Sequence, residues 1–257
     1  MKKWIFLLFL TPKLFALYMG NPSSAEIIDQ GFFFSKENWL AVKAGYQRDW
    51  VFDRNMRAVS KISGRMDDFD FIADQGVLTI NLIDRIEVFG SAGAARFHAA
   101  HRPSSGIRHE YQTHDQLTWG IGGRGLLFSW KGASFGVEGS YQKAHPSIKW
   151  MAVNGAPVSP RPGSKLTYHE WQVGMGISYQ IDLFIPYIGA KYSNAGARFK
   201  HLPPGFLPTG RHFKTKNRRK FGMAIGTSLS NGNRFAATVE ARLIDEQSIT
   251  LAAEAKF

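Results

Sequence analysis

The stretch Tyr168-His169-Glu170-Trp171-Gln172-Val173-Gly174-Met175-Gly176-Ile177-Ser178-Tyr179-Gln180-Ile181 decides the fold. Trp171, Val173, Met175, Ile177, Tyr179 and Ile181 share one parity, and Glu170, Gln172, Gly174, Gly176, Ser178 and Gln180 share the other. A repeat of two is a strand, because successive side chains of an extended backbone point to opposite faces. Trp171 and Tyr179 bracket the apolar face, eight residues apart. At about 3.3 Å per residue and a tilt near 45°, that spacing approaches the apolar height of a bilayer. Rings with a polar edge sit well at headgroup depth.

The same alternation recurs. Phe221, Met223, Ile225, Thr227 and Leu229 oppose Gly222, Ala224, Gly226 and Ser228. Phe235, Ala237, Val239, Ala241 and Leu243 oppose Ala236, Thr238, Glu240 and Arg242. Ile249, Leu251, Ala253, Ala255 and Phe257 oppose Thr250, Ala252, Glu254 and Lys256, and Trp119, Ile121, Gly123, Gly125 and Leu127 oppose Gly120, Gly122 and Arg124. A soluble β-sandwich also alternates. Here the polar parity holds glycines, small hydroxyls and single charges of both signs rather than long solvent-facing chains. Small residues suit the concave inside of a closed barrel, and the apolar parity then faces lipid.

Ten strands are predicted, near 38–50, 67–83, 86–98, 112–129, 133–145, 165–181, 184–199, 217–230, 233–243 and 246–257. The connections at 51–66, 99–111, 146–164 and 200–216 are long; those at 84–85, 130–132, 182–183 and 231–232 are short. The fold expected is an all-β transmembrane antiparallel barrel of about 10 strands, with long external loops and short periplasmic turns. Leu243-Ile244-Asp245-Glu246 breaks the rhythm: by parity it belongs outside, yet it is short. An unpaired backbone group in hydrocarbon costs several kcal/mol, so the first strand must pair with the last, Ala41–Gln47 beside Thr250–Lys256.

The chain has 257 residues with 26 Gly, 7 Trp, 8 Tyr, 20 Phe and no Cys. No run of about 18 apolar residues offers a transmembrane helix. Without Cys there is no disulfide scaffold, Cys-ligated zinc or thiol nucleophile. Lys2 and Lys3, the apolar run Trp4–Leu10 and the small Ala16 have the layout of a signal peptide, 1–16. That divides the chain into 1–16 as signal, 17–37 as a periplasmic or lumenal segment, and 38–257 as barrel. Removing 1–16 takes Lys2, Lys3 and Lys13 and no acid, so the formal +12 drops by three. An exported basic chain rarely meets nucleic acid; lipid phosphate, surface polysaccharide or an anionic solute is the expected partner.

Gly20-Asn21-Pro22, the run Gly45–Arg54, the run Ile80–Gly90, Tyr168–Gln172 with Pro186–Tyr192, and Thr238–Glu246 follow in order along the chain. Together they resemble the chlamydial major outer membrane protein family. The resemblance implies an outer-membrane porin that is also a surface structural protein and antigen, and a homotrimer. Two departures stand out. Members of that family cross-link the envelope through cysteines, which this chain lacks, and their barrel is larger.

A barrel of about eight strands fills with side chains, while sixteen or more leave a channel; ten lies between. The candidate pore-lining residues are Lys43, Arg124, Glu138, Glu170, Lys191, Glu240, Arg242 and Glu254. Unpaired, they line a wet pore and filter small hydrophilic solutes and ions; paired across the lumen, they close it and stabilise the barrel. The basic run Arg211, Lys214, Lys216, Arg218, Arg219 and Lys220 is an external surface for lipopolysaccharide phosphate, or a solvated loop. Phe257 fits a terminal aromatic read during barrel assembly. His98, His101, His109 and His114 have no recognised metal-ligand spacing, and no cofactor is expected. Asp67, Asp68, Asp70, His114 and Asp115 lie near strand ends, where an outer-membrane protease of the omptin type keeps its acids and histidine, but no catalytic motif supports an enzyme. A plugged barrel acting in adhesion or envelope structure is the alternative to a conducting one.

Overall fold

The computed structural model describes residues 18–28, 30–32, 39–59, 64–206 and 212–257. Its strands are β1 (Leu40–Val51), β2 (Met56–Ala58), β3 (Arg65–Leu82), β4 (Ile86–Ser104), β5 (Ile107–Thr113), β6 (Gln116–Trp130), β7 (Ala133–Ala144), β8 (Ile148–Val153), β9 (Ala156–Val158), β10 (Lys165–Tyr179), β11 (Phe184–Lys200), β12 (His212–Asn217), β13 (Phe221–Ser230), β14 (Phe235–Leu243) and β15 (Ser248–Lys256). Ten of them close into an antiparallel ring in the order β1-β3-β4-β6-β7-β10-β11-β13-β14-β15, with β15 returning to β1. The seam sets Lys43 opposite Lys256, Gly45 opposite Glu254 and Val51 opposite Ser248. No helix among the described residues is long and apolar enough to cross a membrane. The ring leaves no sheet edge to be solvated by hydrocarbon.

The apolar parity faces out. Val173 is 50%, Ile177 54%, Val239 47% and Leu251 44% exposed, so no second sheet covers them. Aromatics band this surface at two heights. Near one rim Trp119 packs on Tyr141 at 5.8 Å, Trp171 on Tyr192 at 5.6 Å, and Tyr192 on Phe221 at 5.2 Å. Near the other, Phe128 stacks on Phe135 at 5.6 Å, and Phe32 meets Phe235 and Phe257. Phe257 also donates its N–H to the Val42 carbonyl at 2.8 Å, which fastens the chain end to the seam.

The lower turns are tight. Ile83 and Asp84 both take left-handed φ, as do Lys131 and Gly132, the conformation that matches the twist of a two-residue hairpin. One feature of the wall departs from strict alternation. The register of β6 against β7 shifts between Leu126 and Phe128. Such a bulge reverses parity, so Leu126 is buried while Leu127, Phe128 and Trp130 are all exposed.

The long connections are themselves sheet. β5 pairs with the upper part of β4 and carries β8 and β9; β12 pairs with the top of β11 and carries β2. An isolated bridge, Ser147 to Lys165, joins the β8 side to β10. The wall therefore rises above the upper aromatic band instead of ending in free loops.

Met175 lies halfway between Trp171 and Tyr179 on the outer face. Met175→Arg should cost roughly 2–4 kcal/mol of folding stability in bilayers, and His169→Arg, above the band, roughly 0–1. Urea unfolding of the barrel in phospholipid vesicles measures both; equal costs would contradict the depth assignment.

Candidate functional site

The lumen is filled from three sources. The lowest is the chain's own N-terminal stretch, residues 18–28, which runs inside the ring. Met19 and Gly20 donate backbone N–H groups to the Glu240 carboxylate at 2.9 and 2.8 Å, and the Tyr187 hydroxyl donates to it at 2.8 Å. Lys43 reaches the Ser24 carbonyl at 2.6 Å, Asn81 the Ala25 carbonyl at 2.7 Å, and Lys256 the Ile28 carbonyl at 2.9 Å. Ser134 donates to Glu26 at 2.6 Å. Strand glycines make the room: a Cβ on Gly176 would lie 2.8 Å from Pro22 Cγ, and one on Gly189 would collide with the Met19 side chain. A small pocket of about 30 Å³ remains beside Tyr18, Thr79, Arg124 and Glu254.

Beside and above it lies a network of ion pairs. Lys43 bonds Glu87 at 2.6 Å, both fully buried, with Glu254 at 3.8 Å and Arg124 reaching Glu87 at 3.4 Å. Arg242 bonds Asp49 at 2.9 Å and Thr250 at 2.6 Å, and lies 3.5 Å from Glu240. Arg54 bonds Glu170 and Glu246, and lies 3.2 Å from Asp245. Lys191 bonds Glu246 and lies 3.5 Å from Asp245. Glu138 accepts from Gln172 at 2.6 Å. The sequence candidates Lys43, Arg124, Glu138, Glu170, Lys191, Glu240, Arg242 and Glu254 are thus all on inward parity; each meets a partner, and all but Arg124 and Glu254, which stay partly exposed, are buried. Taking such charges from water costs several kcal/mol each, which only close pairing offsets.

Sequence reasoning missed Asp49, Glu87, Arg54, Asp245 and Glu246. Asp49 and Glu87 sit on the inward parity of their strands, so strict alternation would have found them. Arg54 lies between β1 and β2, and Asp245 and Glu246 lie between β14 and β15, where no period operates. Their burial explains the short final hairpin: both carboxylates fold into the lumen.

The top is apolar. Phe69, Phe71, Phe97 and Tyr168 pack with centroids 4.8–6.0 Å apart, and Tyr111, Phe199 and Phe213 continue the cluster. Leu202 and Phe206 fold in from the β11–β12 connection. His101 and His109 belong here, stacked on Phe213 at 4.2 Å and Phe206 at 4.5 Å. Burial, with His101 beside it, pushes the His109 imidazole down to about 4, so it is neutral near pH 7.

The remaining candidates lie outside. Arg211 is beyond the described residues. Lys214 and Lys216 are exposed on β12, Arg218 and Arg219 follow it, and Lys220 donates to the Tyr192 hydroxyl at 3.0 Å. Asp67 pairs with Arg102 at 2.9 Å, Asp68 with Arg108 at 3.4 Å, Asp70 with His98 at 2.7 Å and Asp115 with Arg96 at 3.6 Å. Among the described residues none of these carboxylates bonds His114, so the omptin-like set does not converge.

The family described as Chlamydia major outer membrane protein matches residues 158–201 and 211–257. The major outer membrane porin of Chlamydia psittaci is 23% identical, over 94% of this chain and 95% of that protein; one from Chlamydia pneumoniae is 21% identical over 94% of each. The chain resembles this family as a short relative without cysteine. The alignment to the C. psittaci protein spans 371 positions, more than the whole chain holds, so that relative carries internal segments absent here. Among solved structures, the outer membrane protease OmpT of Escherichia coli aligns with TM-score 0.44 at 11% identity, over 85% of this chain and 95% of that one. OprG of Pseudomonas aeruginosa aligns with TM-score 0.35 at 10% identity, over 85% and 95%.

Removing one partner of a fully buried pair strands the other. Lys43→Met should cost about 3–5 kcal/mol, and Lys43→Met with Glu87→Leu should recover much of that. Urea unfolding of the single and double variants tests it; a double variant worse than the single would show that the pair is not the coupled unit.

Proposed function

We propose that this relative of the chlamydial major outer membrane porins is an outer-membrane surface barrel, held shut by its own N-terminal segment, its lumenal ion pairs and its external aromatic core. The observation that carries the reading is that inward residues low, midway and high in the lumen, Ser228, Glu170 and Phe97 among them, are buried, while a strip beside Gln47, Val77, Ser91 and Glu254 stays partly exposed. A conducting lumen needs wall side chains in contact with water, and ten strands enclose little space to begin with. The role this supports is structural: a rigid cylinder that spans the bilayer and raises a sheet wall above it.

A second reading, passive diffusion of small hydrophilic solutes, is favoured by two facts. The relatives matching along 94% of the chain are named porins. The lower filling is also chain, not wall: residues 18–28 are held to the inner surface through hydrogen bonds, so their withdrawal would bare Lys43, Arg124, Glu138 and Glu240. Conduction would then require the aromatic core to yield as well.

Planar-bilayer recording distinguishes the two. The wild-type barrel should be electrically silent at moderate voltage. Deleting residues 18–28 and replacing Phe69 and Phe97 with Ala should give discrete steps, provided the variant keeps heat-modifiable gel migration. Steady wild-type steps altered by Arg124→Gln would overturn the closed reading in favour of diffusion.

A further inference from the structure

The outer wall above the aromatic band carries charge unevenly. On the β1–β3–β4–β5 side, cations have carboxylate partners: Arg48 with Asp74, Arg96 with Asp115, Arg102 with Asp67 and Arg108 with Glu110. On the β7–β10–β11–β12–β2 side they have none among the described residues. The ladders there set Lys143 opposite His169, His169 opposite Gly196, Gly196 opposite Lys216, and Lys216 opposite Arg57. One row higher, Arg198 faces Lys214; higher still, Lys165 faces Lys200. All six lysine and arginine residues of these upper and lower rows on β7, β10, β11 and β12 are outward and at least partly exposed, and no carboxylate shares their face. Among the described residues none of them makes an ion pair.

Like charges directly opposite in a ladder destabilise it. Here they sit opposite or near one another across successive strands, so the wall is strained electrostatically unless an anion covers it. Its field is felt by a neighbour: burial first, and then Lys143, Lys165 and Lys200, push the His145 imidazole below its ordinary value. Immediately beneath lie Tyr141, Trp171, Tyr192 and Phe221, which mark headgroup depth. Lys220 bridges the two zones through Tyr192.

We propose that this face is a docking surface for the phosphorylated headgroup of an outer-leaflet glycolipid, lipid A in chemistry, whose acyl chains run down the apolar wall below. The site rests on the outer-membrane reading above. Continuity with the lipid-facing aromatics selects a lipid over a soluble polyanion: phosphates meet Arg198, Lys214 and Lys216 while the acyl chains lie on Val173 and Ile188.

The test is native mass spectrometry of the refolded barrel in detergent micelles, with bis-phosphorylated lipid A, fully dephosphorylated lipid A and heparin as probes. Wild type should retain bis-phosphorylated lipid A and lose it on removal of the phosphates. Arg198→Gln/Lys214→Gln/Lys216→Gln should weaken retention roughly a hundredfold, and Arg96→Gln/Arg102→Gln on the paired side should leave it unchanged. Equal retention of the two lipids, or of lipid A by the triple variant, overturns the proposal, as does heparin binding with no lipid A binding. The phosphate comparison uses wild type alone, so it stands even where the triple variant fails to fold. A wild-type chain without a folded, heat-modifiable band would instead sink the membrane-barrel reading itself.

Discussion

Everything in this molecule follows from the backbone's need for hydrogen-bond partners where water is absent. An amide in hydrocarbon cannot borrow a solvent partner, so the sheet has to close. Closure is achieved at one place, where β1 lies along β15 from Lys43–Lys256 to Val51–Ser248. That seam fixes parity around the whole ring. Once Lys43 points inward, so do Glu254 and Lys256 across the junction, and Leu251 is left to lipid. The terminal Phe257, bonded to Val42 and packed on Phe32, secures the same junction from below.

A ring of ten strands creates a second problem: its inside is too narrow for a generous channel and too wide to be filled by small residues. The chain resolves this differently at each height. Below, glycines on β7, β10 and β11 leave a recess that the N-terminal segment occupies. In the middle, opposite charges from distant strands meet, and two acids from the β14–β15 connection reach Lys191 and an arginine from the β1–β2 connection. Above, where the wall leaves the membrane, the inward parity turns aromatic and packs like an ordinary protein core. Buried ion pairs contribute little net stability, but they penalise any register that leaves one unpaired, which suits a barrel whose strands could otherwise slip by two.

The alternation along β10, β13, β14 and β15 made the strands and the inward identity of their charges legible, and the glycines and small hydroxyls on the polar parity made the barrel legible over a sandwich. The partners of those charges were less legible. Arg54, Asp245 and Glu246 lie in connections, where only three-dimensional folding decides orientation. Leu126-Leu127-Phe128 is apolar on both parities, so the bulge there leaves no trace in the pattern. The segments between strands read as loops because β2, β8, β9 and β12 are short and stand above the membrane, freed from the strict lipid-facing code. The strand glycines announced space in the lumen without announcing that residues 18–28 would fill it.

The seam is the most direct point of attack. The chain has no native cysteine, so a pair introduced at Ala44 and Ala255, opposite one another in the β1–β15 ladder, gives an uncontaminated signal. Oxidation of Ala44→Cys/Ala255→Cys in folded, membrane-inserted protein should form an intramolecular disulfide in nearly every chain, and unfolding in urea beforehand should abolish it. Free thiols in the folded state, or cross-links only between chains, would mean that the ring is open and would contradict this account.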